Sequence, residues 1–343
     1  MRVEASLGAH RLDEIVDRTR RIESAGFDRI TSSELNHDPF LPLGIVAEHS
    51  STLELATSVA IAFPRSPTVT AHLARDLNDL SEGRFILGLG TQVKGHIQRR
   101  FATEWSSPGP RLRDYIAAVR AVWDSWDSEG ALSHEGPFYP LSLMTPEFSP
   151  GPSQYRRPPV HIAGVNSYNL RLAGECCEGL RVHPFATKSY MEQAIWPAVR
   201  EGSSRSGRDL SGFEMIGGGF IATGETDEEV YSARERARYR IAFYGSTRTY
   251  LPVLEMHGWG ELNGALRRLV AAGEWDSLAA AVPDEVLDEF CVSGTHSEIL
   301  PKIRTRYEGL VDAVSLDLPE GRESAEFADL LEGVRRLRTA SES

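Results

Sequence analysis

Hydrophobic and polar positions along the chain switch between two periods. RVEASL (2–7) alternates every second residue; after it Leu12, Ile15, Val16, Thr19 and Ile22 fall on one helical face. Gly26 stops that helix, and FDRITSS (27–33) reads as the next strand. LPLGIVAEHSS (41–51) reads as helix and LELATSVAIAF (53–63) as a buried strand. Beyond Pro67, the positions Val69, Leu73, Leu77 and Leu80 mark a helix that ends at SEG. RFILGLG (84–90) is the fourth strand; Leu112, Ile116, Val119, Trp123 and Trp126 outline its helix over 111–126. The second half keeps the rhythm: PVHIAG (159–164), a helix near 168–176, GLRVHP (179–184), and a helix near 188–201. MIGGGFIATG (215–224) and a helix from 226 follow, then SEILPKIRTRYEGL (297–310, helical) and VDAVSLDL (311–318).

Eight strand-and-helix units predict an α/β chain of the (β/α)8 TIM-barrel class. A doubly wound sheet would explain the alternation equally well, but it would not need eight units. One domain over 1–338 is expected, with a flexible tail at 339–343. The spans 127–157 and 245–293 break the repeat, and insertions of that kind usually cover the C-terminal mouth of a barrel. RFILGLGTQV also tests a dinucleotide-binding fingerprint, which fails: Val93 stands where a third glycine or alanine is needed after Gly88 and Gly90. Asp114, near the distance of a ribose-binding acid, sits inside a helical pattern.

Composition narrows the partners. The formal charge of −12 argues against a nucleic-acid or membrane-surface partner. No apolar run approaches a membrane span, and the N-terminus MRVEASLGAHRLDE lacks a signal-peptide core. Cys176, Cys177 and Cys291 cannot form a disulfide framework and lack metal-ligand spacing, so a reducing cytoplasm is expected and no metal. Of the basic residues only Lys94, Lys188 and Lys302 are lysines, a bias expected of a GC-rich genome.

Chemistry in this fold sits at the C-terminal ends of strands. That rule selects Glu34, Asn36 and His37 after strand two, and Ser58, Val59 and Arg65 around strand three. It also selects Thr91, Gln92, Lys94 and His96 after strand four, Gly164, Val165 and Asn166 after strand five, and His183 after strand six. Each has a plain alternative: Glu34 as partner of an arginine, His37 as a turn residue before Pro39, Asn166 as a helix cap. Gly164–Asn166 precede a helix whose free N–H groups suit an anion. Arg99 and Arg100 read as a solvated helix face, His10 and His161 as structural, and the cysteine pair as packing. No catalytic triad or zinc set can be assembled, so an organic cofactor must supply the reactivity.

The ordered pieces SSELNHDPF, TSVAIAFPRSP, LSEGRFILGLGTQVKGH, RLRDYIAAVRAVW, EGPFYPL, PPVHIAGVN and SGTHSEI resemble the bacterial-luciferase-like flavin and deazaflavin oxidoreductases along nearly the whole chain. GLGTQVKGHIQRRF with IAFYGST and LEMHGW is similar to a mainly actinobacterial subgroup that depends on coenzyme F420. The resemblance implies a non-prolyl cis peptide at Ser58–Val59 behind the cofactor ring, with Thr91, Gln92 and His183 also at the cofactor. It makes Gly164, Val165 and Asn166 a phosphate-binding loop. It further implies hydride transfer between C5 of the deazaflavin and a small organic substrate, and a homodimer. Lys94, Arg99, Arg100 or Lys188 would meet the coenzyme's acidic tail, and Phe138, Tyr139, Tyr244, His257 and Trp259 would exclude water. Two departures stand out. Leu35 replaces the histidine that many relatives carry after the acid, and Val93 replaces a glutamate of the sugar-phosphate dehydrogenases. Glu34, His37 and His96, in that order, are the candidates for proton transfer. An FMN-dependent monooxygenase and a cofactor-binding protein without turnover remain the alternatives.

Overall fold

Parallel strands alternate with helices through the chain: β1 (Arg2–Ser6), β2 (Arg29–Ser32), β3 (Glu54–Thr57), β4 (Phe85–Gly90), β5 (Val160–Gly164), β6 (Gly179–Val182), β7 (Glu214–Gly217) and β8 (Ala313–Ser315). The computed structural model describes residues 1–8, 11–319, 321 and 324–342; His10 lies outside the described residues. The fold class is the (β/α)8 barrel with insertions that the periodicity predicts. No helix among the described residues is long and apolar enough to cross a membrane.

The chain divides into two compact units. The first comprises residues 6–24 and 28–163. In it β2 pairs with β3 from Arg29↔Glu54 to Ser32↔Thr57, β3 with β4 at Leu55↔Phe85, and β4 with β5 at Leu87↔Val160. Beyond β3 the two-residue strand Ala60–Ile61 takes over the edge of β4, Ala60 opposite Leu89 and Ile61 opposite Gly90. Every residue of β4 is buried, which is why FILGLG reads as an unbroken apolar run instead of an alternation. Helix Pro67–Leu80 starts where Ser66 Oγ accepts the Val69 N–H and Pro67 supplies a preset φ. It buries Thr70, Ala71, Ala74 and Leu77.

The second unit holds residues 1–5, 25–27 and the chain from 164 onward. Here β1 pairs with β8 (Arg2↔Ala313), β8 with β7 (Ala313↔Ile216) and β7 with β6 (Gly179↔Glu214). MIGGGFIATG, expected as one strand, is two. Gly217, Gly218 and Gly219 have φ of 79°, 97° and 83°, so the chain leaves β7 through a left-handed turn that side chains rarely adopt. The following strand, Phe220–Gly224, pairs in parallel with Cys291–Thr295 as a separate ribbon. Helix Asp227–Gly245 opens with a reciprocal box, Thr226 Oγ1 accepting from Glu229 N–H and the Glu229 carboxylate from Thr226 N–H. The insertion at 245–293 contributes helices Leu251–Met256, Gly260–Ala272 and Asp284–Phe290. Within the expected tail, Ala340 N–H donates to Val311 O (3.1 Å) and Ser341 N–H to Asp312 Oδ1 (3.0 Å); Ser343 lies outside the described residues.

Candidate functional site

In the first unit the tips of β2, β3 and β4 are tied together around one backbone feature. The Ser58–Val59 peptide is cis. Ser58 N–H donates to Ser32 O (2.7 Å), and Ser33 Oγ donates to Ser58 O (2.8 Å). The turn carries Val59 onto β4, where a Cβ on Gly90 would lie 2.6 Å from Val59 Cγ2. The second glycine of GLG is therefore needed for a side chain that β3 delivers, not for a phosphate. Gly88 is fixed by Thr57, whose Oγ1 accepts its N–H (2.9 Å) and donates to its carbonyl (2.7 Å).

Glu34 is buried beside this turn. Its Oε2 accepts the Ile61 N–H (2.7 Å) and Arg65 Nη1 (2.6 Å). Arg65 continues to Asp38 Oδ2 through Nη2 (2.8 Å) and lies over the Phe40 ring at 5.5 Å. Burial alone would raise the Asp38 pKa; hydrogen bonds from the Leu41 N–H and Arg65 outweigh it and hold the carboxyl below its usual range. The structure thus joins Glu34 to Arg65, the arginine pairing that was its plain alternative. His37 and His96 are exposed, His96 on helix Lys94–Arg99. Thr91 and Gln92 follow β4 half-buried, Gln92 at φ 55° with its own Oε1 accepting Val93 N–H (2.9 Å). Lys94 and Arg99 are exposed; Arg100, read as part of a solvated face, donates to the Leu35 carbonyl and covers the Phe101 ring.

Sequence reasoning missed Asp114. Buried in helix Pro108–Asp127, it organises the aromatic insertion: Oδ1 meets His134 Nε2 (2.8 Å) and Oδ2 accepts the N–H groups of Phe138 (2.7 Å) and Tyr139 (2.9 Å). A Cβ on Gly136 would fall 1.8 Å from Asp114 Oδ1, so the loop closes on the carboxylate only as glycine. Arg111 then donates to Tyr139 Oη (2.7 Å) and packs over Phe63 at 4.5 Å. A signal was present in the sequence: an aspartate next to Tyr115 and Ile116 on the apolar side of an amphipathic helix.

In the second unit, Gly164, Val165 and Asn166 lead into helix Ser167–Cys176. Asn166 Oδ1 accepts the Asn169 N–H (3.0 Å), so the capping alternative is realised, and Tyr190 Oη donates to Val165 O (3.2 Å). His183 follows β6 inside an aromatic group, edge-on to Tyr244 (4.4 Å between centroids) and tilted over Tyr250 (4.7 Å). Its Nδ1 accepts the Phe185 N–H (3.0 Å), which leaves the neutral ring with a proton to donate from Nε2. Burial pushes the imidazole down from 6.5 to about 4. The native ring then refuses a proton that the unfolded chain accepts. Stability should be complete above pH 6.5 and fall as pH drops toward 4, by about 3 kcal/mol in all. The ring proton resonances of His183 should stay at their neutral positions from pH 8 to 5; a midpoint near 6.5 would refute the buried ring.

The site thus joins a (β/α)8 scaffold, a cis peptide at the β3 tip and a helix-capping loop after β5. Residues 1–313 match the luciferase-like monooxygenase family, and the chain belongs to that family. An uncharacterized protein of Mycobacterium tuberculosis is 43% identical over 305 residues, covering 89% of this chain and 90% of its own. A putative coenzyme F420-dependent oxidoreductase of the same organism is 27% identical over 290 residues, covering 79% and 81%. Among solved structures, the coenzyme F420-dependent tetrahydromethanopterin reductase of Methanopyrus kandleri superposes with a TM-score of 0.76 at 17% identity, covering 98% of each chain.

Proposed function

We propose that this luciferase-like oxidoreductase uses F420 and exchanges a hydride with a small organic substrate. The observation that carries the reading is the close packing of Val59 on the side-chain-free Gly90 at the end of β4, next to Thr91 and Gln92, where the edge of a cofactor ring would rest. The 27% relative supports the choice of deazaflavin. Ser58, Val59, Thr91 and Gln92 would take the ring, and the Gly164–Asn166 loop the phosphate, with the N-terminal dipole of helix Ser167–Cys176 favouring its charge. His183 would offer a neutral N–H donor, a group that hydrogen-bonds a ring carbonyl without adding charge. When bound, the deazaflavin supplies a two-electron hydride carrier that reacts poorly with oxygen.

The chain's own residues supply binding, orientation and the proton. Glu34, His37 and His96, in that order, are proposed for proton transfer. Glu34 held by Arg65 also keeps the Ile61 N–H and the segment beyond the bulge in register. Phe63, Tyr115 and Tyr139, clamped by Arg111 and Asp114, would exclude water from the substrate. On the same reading the enzyme is a cytoplasmic homodimer.

Fluorescence titration of the purified protein with F420 and with FMN tests the choice. Saturable quenching with F420 and none with FMN is expected; tight FMN binding with an indifferent deazaflavin would make it a monooxygenase instead. Gly90→Ala should push Val59 off β4 and weaken F420 binding about 10- to 100-fold, the equivalent of the 1–3 kcal/mol of a local overpacking.

A further inference from the structure

The second unit contains a cleft of about 780 Å³ whose lining shares only Lys188 with the residues offered to the coenzyme. Helix Leu300–Tyr307, ribbon strand Cys291–Thr295 and the start of helix Lys188–Tyr190 line it, and it gathers Lys188, Arg234, Lys302 and Arg306. Two of the three lysines in an otherwise arginine-based, acidic chain therefore meet in one place.

The charges of Lys188, Lys302 and Arg306 are held in position by backbone carbonyls, without a close carboxylate. Lys188 Nζ donates to Thr305 O (2.8 Å), Lys302 Nζ to Ser293 O (2.5 Å), and Arg306 Nη2 to Glu289 O (2.7 Å) and Ala186 O (3.4 Å). All four acceptors are backbone carbonyls. Lys188 has one loose ion pair, with Glu192 at 3.9 Å, whereas Lys302 and Arg306 have none among the described residues. Asp288 is spent on Arg234 (2.8 Å), which leaves the Glu289 carboxylate as the other acid on the wall.

Arg306 is the anchor. It is 8% exposed, lines the cleft, and its Nη1 and Nε have no hydrogen-bond partner among the described residues. A buried guanidinium without a carboxylate is costly to keep, and its fork matches a phosphate. The fork is also locked in place: a Cβ on Gly219 would lie 2.8 Å from Arg306 Nε, so the triple-glycine turn makes room for it. Cys291 on the same wall does not cancel the charge, because burial pushes its thiol up to about 11 and leaves it neutral.

We propose that this cleft binds the phosphate group of a small organic phosphate, with Arg306 gripping the oxyanion and Lys188 and Lys302 closing on it. The volume exceeds that of a lone phosphate, so the remainder would hold the organic part. Ser189 and Ser293 supply hydroxyl donors, Ser293 Oγ already oriented by Arg234 (2.7 Å).

Isothermal titration of the full chain without cofactor, at constant ionic strength, tests the site with inorganic phosphate, pyrophosphate and citrate. Saturable binding of phosphate, tighter for pyrophosphate, is expected. The Lys188→Ala/Lys302→Ala variant, whose removed groups touch backbone carbonyls and one loose carboxylate, should fold with an unchanged circular-dichroism spectrum. It should bind pyrophosphate at least 10-fold more weakly. Arg306→Lys, which keeps the charge and loses the fork, should weaken binding by a similar factor. Equal binding by the double-lysine variant, citrate binding without phosphate binding, or no saturable heat would each overturn the proposal. Because no cofactor is present and Arg306 is assigned no contact with the coenzyme, the Arg306→Lys outcome tests this cleft separately from the F420 reading.

Discussion

Arg181→Ala should destabilise the protein by about 3–5 kcal/mol, the cost of breaking a buried ion pair by removing one member. Glu4 on β1 and Arg181 on β6 are 3% and 5% exposed, and Arg181 Nη1 reaches Glu4 Oε1 and Oε2 at 3.1 Å each. Ser315 on β8 donates to Glu4 Oε1 (2.9 Å), so three strands converge on one charge. Removing both charges is a different experiment: Glu4→Leu with Arg181→Met replaces the pair by apolar groups and should recover most of the loss. Urea midpoints of the two variants read the contrast directly. A single variant costing less than about 1 kcal/mol would mean that Glu4 does not depend on Arg181 for its stabilisation.

Gly202→Ala is the second large effect, and its sign opposes helix propensity. In an exposed helix the change would stabilise by roughly 1 kcal/mol. Here helices Ser167–Cys176 and Trp196–Ser206 cross at paired glycines. A Cβ on Gly202 would lie 1.9 Å from Arg171 O, and one on Gly174 would lie 2.0 Å from Val199 O. Backbone carbonyls inside helices cannot swing aside, so the helices must separate, at a cost of about 2–3 kcal/mol. Gly174→Ala should do the same. The double variant should cost clearly less than the two singles added, since the first separation makes room for the second methyl. A gain in the denaturation midpoint of Gly202→Ala would show that the crossing is looser than described.

The two predictions differ in how far the sequence announces them. Gly174 and Gly202 sit in helical patterns with nothing local to mark them, because the contact that requires each lies on another helix, at Val199 and Arg171. Glu4 stands at a polar position of the alternating strand RVEASL, so its burial and its pairing with Arg181 came only with the structure. The helical neighbourhood of Asp114 was visible in the sequence, whereas the loop that folds onto it, through Gly136, was not. Glu34 was selected by its position after a strand, and its two readings could be separated only once Arg65 lay within 2.6 Å of it.

The alternation of periods, the order of the eight barrel strands and the caps at Ser66, Asn166 and Thr226 were determined by the sequence itself. Each depends on residues within a few positions of one another, where side-chain direction and hydrogen-bond reach follow from local backbone geometry. The tertiary structure alone decided that Val59 occupies the space above Gly90, that the triple glycine ends β7, and that Lys188, Lys302 and Arg306 share a wall. Those outcomes depend on steric fit and charge between segments that meet only after the chain has packed, and nothing in the spacing of neighbours along the sequence encodes which segments will meet.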